Sequence, residues 1–151
     1  MKKILLILLL TLPFIGFGQN SYNIEETDII YEDGWIMLTC LKKDKSLVNG
    51  IVNSEYPNGQ LKSTCKYYKG REDGVWKYYF RNGQLKQEGN YKDGKKNGIW
   101  KEYYQDGQIR SDGKFKDGKT EGLWKEYYSN GNIWTEQNYR NSESVGLWKG
   151  Y

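Results

Sequence analysis

The sequence repeats itself every 24 residues, and that period limits the possible folds more than any other feature. Gly50, Gly74, Gly98, Gly122 and Gly146 stand 24 apart, and the turn glycines Gly59, Gly83, Gly107 and Gly131 keep the same spacing. Trp76, Trp100, Trp124 and Trp148 follow it. So do Tyr67, Tyr91, Phe115 and Tyr139, and the aliphatic Leu61, Leu85, Ile109 and Ile133. A period of this length marks a repeat architecture, in which each unit buries its apolar face against its neighbours.

Local chemistry identifies the unit. Asn58-Gly59, Asn82-Gly83, Asp106-Gly107 and Asn130-Gly131 are dipeptides favoured in a two-residue type I′ turn, where both central residues need φ > 0. The flanking segments alternate and carry strand-favouring aromatics. Each unit is therefore predicted to be a β-hairpin, and the fold an all-β, elongated, twisted antiparallel meander. A two-residue loop at Asp106-Gly107 places Trp100 opposite Gly113, Tyr104 opposite Ile109 and Phe115 opposite Gly98, so that rings cover glycines. On the other face it sets Lys101 against Asp112 and Tyr103 against Arg110. The neighbouring units set Lys77 against Glu88, Tyr79 against Lys86 and Lys125 against Glu136, mostly opposite-charge pairs. The second connection, as at residues 116–121, reads as a longer glycine-containing loop whose register stays open.

Composition narrows the function. The chain has 151 residues, which bounds it to one domain or one array. Its 14 Tyr and 6 Trp concentrate the apolar surface in flat rings, which pave a sheet better than they fill a thick core. Histidine is absent, which removes the usual general base and the commonest metal ligand together. Two cysteines cannot build a zinc site alone. No acid pair stands out as catalytic, because Glu88 and Asp112 face lysines, and no GxxxxGK[ST] phosphate loop occurs. The expectation is a non-enzyme without catalytic residues, metal or cofactor.

The N-terminus reads as a secretory leader. Lys2 and Lys3 form a positive n-region, Ile4 to Leu12 an apolar stretch, and Pro13 breaks it. Gly16-Phe17-Gly18 supplies small residues at −3 and −1, so cleavage is predicted after Gly18 and the product is secreted or periplasmic. The apolar run is shorter than the ~20 residues that span a bilayer. Without Lys2 and Lys3, 21 basic side chains face 19 acidic ones, too even a balance to argue for nucleic acid. Three segments follow: residues 1–18 as signal peptide, 19–49 as a degenerate capping repeat, and 50–151 as the hairpin array ending in a half repeat. Secretion permits a disulfide between Cys40 and Cys65. Their equivalent positions, roughly 9–10 Å apart, argue against one, because bridged Cα atoms lie under ~7 Å apart.

The stretches Gly98-Ile99-Trp100-Lys101-Glu102-Tyr103-Tyr104-Gln105-Asp106-Gly107-Gln108-Ile109 and Tyr91-Lys92-Asp93-Gly94-Lys95-Lys96-Asn97-Gly98 resemble the MORN-repeat variant family. In bacteria the family is often labelled as the YwqK-type antitoxin component of toxin–antitoxin modules, a label at odds with a secretory leader. The resemblance covers residues 50–151. It implies a hairpin array used for protein or membrane association, with no catalytic residues to carry over.

Site expectations follow. Trp76, Trp100, Trp124, Trp148, Tyr91, Phe115 and Tyr139 are read as structural rings packed on each other and over glycines. Tyr79, Tyr103, Tyr127 and Trp134 on the polar face are the candidates for partner contact. Trp134 stands out because it replaces the Lys or Arg of the other units, opposite Tyr127. The expected partner is a protein, held through the ringed face or the free edge at Gly146–Tyr151. Glycan binding by the aromatic face and membrane-surface association are the alternatives.

Overall fold

The computed structural model describes residues 21–32, 36–41 and 44–151, and of residues 28–32 and 36–40 the backbone alone. The expected leader and its predicted cleavage after Gly18 lie outside the described residues. Three short strands come first: β1 (Ser21–Asn23), β2 (Thr27–Glu32) and β3 (Ile36–Leu41). Nine more follow: β4 (Gly50–Glu55), β5 (Leu61–Tyr68), β6 (Arg71–Tyr79), β7 (Leu85–Lys92), β8 (Lys95–Tyr103), β9 (Ile109–Lys116), β10 (Lys119–Tyr127), β11 (Ile133–Arg140) and β12 (Glu143–Gly150).

β4 to β12 form the antiparallel meander read from the repeat, each strand pairing with the next. The first strands do otherwise. β1 adds to β4 in parallel, and β2 pairs with β3 in a separate two-stranded sheet. A single 3₁₀ turn at Ile24–Glu26 joins β1 to β2, and Asn23 and Glu26 cap it reciprocally. β2 and β3 thus make an antiparallel hairpin within the expected capping segment, outside the main sheet. Leu41 and Val48 from that segment close the first repeat hairpin in a small core with Val52, packed by Tyr22 and Tyr67.

The two kinds of turn are exchanged relative to the sequence reading. At Asp106-Gly107 the loop has three residues: Gly107 N–H donates to Tyr104 C=O (3.0 Å) and Tyr104 N–H to Gln108 C=O (2.8 Å). Only the glycine has positive φ, at +91°. The Asp106 carboxylate accepts from Gln108 N–H at 3.0 Å, and Asn58, Asn82 and Asn130 do the same in their units. An Asx side chain that bonds two residues ahead holds its own backbone at negative φ and leaves the left-handed position to glycine. The two-residue I′ turns are instead the second connections, where the sequence suggests longer loops. Asp93-Gly94 has φ of 50° and 74°, and Asp117-Gly118 has 51° and 84°.

An added loop residue shifts the pairing by one, and a bulge immediately restores it. Tyr103 pairs with Ile109 and Glu102 with Ser111, leaving Arg110 unopposed. The expected Tyr104–Ile109, Tyr103–Arg110 and Tyr79–Lys86 pairs are therefore displaced. Beyond the bulge, Trp100–Gly113, Lys101–Asp112, Lys77–Glu88 and Lys125–Glu136 stand as read. Lys62, Lys86, Arg110 and Trp134 all occupy this bulged position.

Successive hairpins are stapled along both long edges. At the tight turns Gly94 N–H donates to Glu72 C=O and Gly118 N–H to Lys96 C=O, each at 2.9 Å. At the other edge the Tyr104 hydroxyl donates to Tyr127 C=O at 2.6 Å, and Tyr56 to Tyr79 C=O at 2.7 Å. Each bond satisfies a backbone group that a turn would otherwise leave to water.

Candidate functional site

The rings form a continuous ladder through the middle of the sheet. Trp76 lies 5.4 Å from Trp100, and Tyr91 meets Trp100 edge-on at 5.2 Å. Phe115 stands edge-on to Trp100 at 5.9 Å and to Trp124 at 5.2 Å. These are the geometries that a ring quadrupole favours. Trp100 is 2% exposed. Its ring does not lie over Gly113, its register partner, but over Gly89 on the preceding strand, and Trp124 likewise covers Gly113. A Cβ at either glycine would fall inside the indole. A second bulge makes this possible, with Gly98-Ile99-Trp100 opposing Gly89 alone. Lys96 completes the cluster, its Nζ 4.1 Å above Trp100 and 5.0 Å above Phe115. Burial lowers its pKa, against the smaller raising influence of Glu102.

Cys65 occupies the same column as Gly89 and Gly113, and Gln137 is the last member. The Cys65 thiol is buried and free, so no disulfide forms there. Burial, with a lesser push from the Glu72 charge, raises its pKa to about 12. In the last unit Gln137 replaces the small residue. Trp148 leans on Gly150 instead and is 62% exposed. Tyr139 sits beyond the ladder's end, half-buried.

The four polar-face candidates have unequal surroundings. The Tyr103 hydroxyl donates to the Glu88 carboxylate at 2.7 Å, and Tyr127 donates to Asp112 at 2.8 Å. Burial, then these carboxylates, raise both phenols to about 12. Tyr79 is half-buried, and its carbonyl takes the Tyr56 hydroxyl. Tyr103 and Tyr127 thus brace the sheet through their hydroxyls, and Tyr79 through its backbone. Trp134 differs: it is 48% exposed and packs on Tyr128 at 6.0 Å rather than facing Tyr127, which pairs with Ile133. Its bulged position re-aims the side chain. The structure thus gathers no common site from the four.

A further column escaped the sequence reading. Val75, Ile99 and Leu123 occupy one position of three consecutive units and are 51%, 54% and 43% exposed. Each sits in the second bulge or beside it, between the repeat glycine and the tryptophan. By strand alternation each points away from the ring ladder. Their cross-strand partners are Asn90, Lys114 and Asn138, which interleave the aliphatics with polar groups. Leu147 continues the row at 90% exposure. The signal was the same 24-residue period, applied to Ile51, Val75, Ile99, Leu123 and Leu147.

The MORN repeat variant profile matches residues 48–69, 72–93, 96–117 and 120–141. No curated protein matches the chain. Among solved structures, a crystal structure of TarM is similar at 11% identity and a TM-score of 0.38, over 80% of this chain and 21% of that one. A mutant TarM from S. aureus, in complex with fondaparinux, alpha-GlcNAc-glycerol and UDP, gives 11% and 0.40 over the same shares. A GtfA/B complex bound to UDP and GlcNAc gives 11% and 0.28, over 74% of this chain and 19% of that one. The chain spans about a fifth of the length of those proteins.

Proposed function

Because the chain belongs to the MORN repeat variant family, we propose that it is a non-enzymatic interaction module, secreted or periplasmic, that holds a protein partner across its outer face. Repeats of this family are generally protein- or membrane-interaction modules. The observation that carries the finer reading is the exposed row Val75, Ile99 and Leu123. Isolated exposed aliphatics are ordinary, but the same position left open in successive units is a surface. Asn90, Lys114 and Asn138 between them supply the polar groups that fix a partner's register. The ring faces favour a glycan less, since Trp100 is covered on both sides by Gly89, Tyr91, Phe115 and Lys96.

The test is a triple variant, Val75→Ser, Ile99→Ser and Leu123→Ser, used as bait for crosslinking and capture from the native envelope. The variant should fold with little change in Tm, because the three side chains are already half in water, and should lose the partner that the parent captures. Retention of that partner would remove the outer row from the account. The secretory half is tested separately by N-terminal sequencing of the exported protein, expected to begin at Gln19.

A further inference from the structure

The tight turns line up along one long edge of the sheet, held at fixed spacing by the Gly94–Glu72 and Gly118–Lys96 backbone bonds. The residue pairs that close these turns are Tyr68–Arg71, Lys92–Lys95, Lys116–Lys119 and Arg140–Glu143. Elsewhere the sheet sets lysines against acids, as in Lys77–Glu88, Lys101–Asp112 and Lys125–Glu136, the last joined at 3.3 Å. The two central turns do the opposite, and like charges directly opposite each other destabilise a strand pair. Nothing in the hairpin requires lysine at these four exposed positions.

These charges converge. Lys95, Lys116, Lys119 and Arg140 line one open hollow between successive turn tips, together with Asp117 and Glu121. The Glu121 carboxylate is occupied, accepting Asn141 N–H at 3.1 Å. Among the described residues none of the four cations has an ion-pair partner within 4 Å. The stem of Lys95 packs under Gly118, which anchors one wall. The hollow therefore concentrates positive charge in a chain whose overall balance is nearly even.

We propose that this turn edge binds a linear polyanion, with one anionic group of the polymer seated among Lys95, Lys116, Lys119 and Arg140 and the chain running along the row of turns. The site is distinct from the outer-face row and does not depend on it. The turn tips recur every two strands, roughly 9–10 Å apart, and a hollow lying between tips suits a thread better than a plane. Asp93 and Asp117 stand in the first position of the two central turns, at the outermost backbone of that edge. A flat anionic membrane would meet those acids, whereas a thin chain lying between the tips meets the lysines.

The experiment measures binding of long-chain inorganic polyphosphate to the purified mature chain by calorimetry at two salt concentrations. The parent should bind, more weakly at the higher salt, as counterion release demands. Lys116→Gln with Lys119→Gln should weaken binding by about tenfold, on the order expected for removing two phosphate contacts. Lys77→Gln with Lys101→Gln changes net charge equally but should alter affinity by less than about twofold. The turn double variant should keep or raise the parental Tm, since it removes a like-charge pair, so lost binding is not lost folding. Absent binding by the parent, or equal losses in the two double variants, would overturn the proposal. So would a preference for phosphatidylglycerol vesicles over the free polymer.

Discussion

At the scale of the residue, two kinds of glycine do different work in the same repeat. Gly107 has open space around it and is required by its φ of +91°, whereas Gly113 is required by the Trp124 indole lying on it. Gly107→Ala should cost about 1–2 kcal/mol through the left-handed backbone. Gly113→Ala should cost about 1–3 kcal/mol through overpacking. In a Trp124→Leu background the second penalty should shrink and the first should not, a double-mutant cycle readable from denaturant melts. The tyrosines make a second residue-scale test. Tyr103 and Tyr127 are raised to about 12 by burial and by donation to Glu88 and Asp112. A phenol whose pKa is raised on folding contributes stability that is present below its unfolded value near 10 and lost as pH climbs through about 12. Ultraviolet titration of the native chain should show a late-ionising class near that pH, reduced by Tyr127→Phe. Cys65, buried and likewise raised to about 12, should resist a disulfide-exchange reagent at pH 8 in a Cys40→Ser background until the chain unfolds.

At the scale of the element, the hairpin was legible and its turns were not. Strand positions and the main register followed from alternation and the Asn-Gly or Asp-Gly dipeptides. That dipeptide fits two turn types, however, and the choice is made by the Asx side chain bonding forward to Gln108 and its equivalents. Conversely Lys69-Gly70, Asp93-Gly94 and Asp117-Gly118 all adopt the tight turn. Charged flanking residues made those segments look like loops. Because both central residues of such a turn need positive φ, Gly118→Ala should destabilise the β9–β10 hairpin by about 1–2 kcal/mol. Asp117→Asn should be neutral or slightly stabilising, since asparagine suits the first position better. Thermal melts of the two variants check the pair. The bulges were invisible for a related reason: each shifts the strand register, but they recur at the same positions of every unit, so no column falls out of phase.

At the scale of the whole molecule, the period announced an array, and the array's interior is more uniform than its ends. The parallel β1–β4 pair left no periodic trace, because capping a first hairpin is a task performed once, whereas the β2–β3 hairpin falls within the degenerate repeat read from the sequence. The ladder stops where Gln137 replaces the glycine beneath the next tryptophan. Gln137→Gly should let Trp148 fold onto the vacated strand as Trp124 does on Gly113, shifting its emission to shorter wavelength. An unchanged spectrum would mean that the side chain of Gln137 does not hold it out. The candidate site was half legible. Of the expected contacts, Tyr103 and Tyr127 bond their hydroxyls to Glu88 and Asp112 within the sheet. The row Val75, Ile99 and Leu123 shared the same period but stood beside a more conspicuous tryptophan. Whether that row meets a partner is decided most directly by placing a photo-crosslinking amino acid at Ile99 of the full chain in its native cells, with Arg81 at an exposed turn as the comparison site. The account expects one discrete protein adduct from position 99 and none from position 81. No adduct at 99, or the same adducts from both, would contradict it.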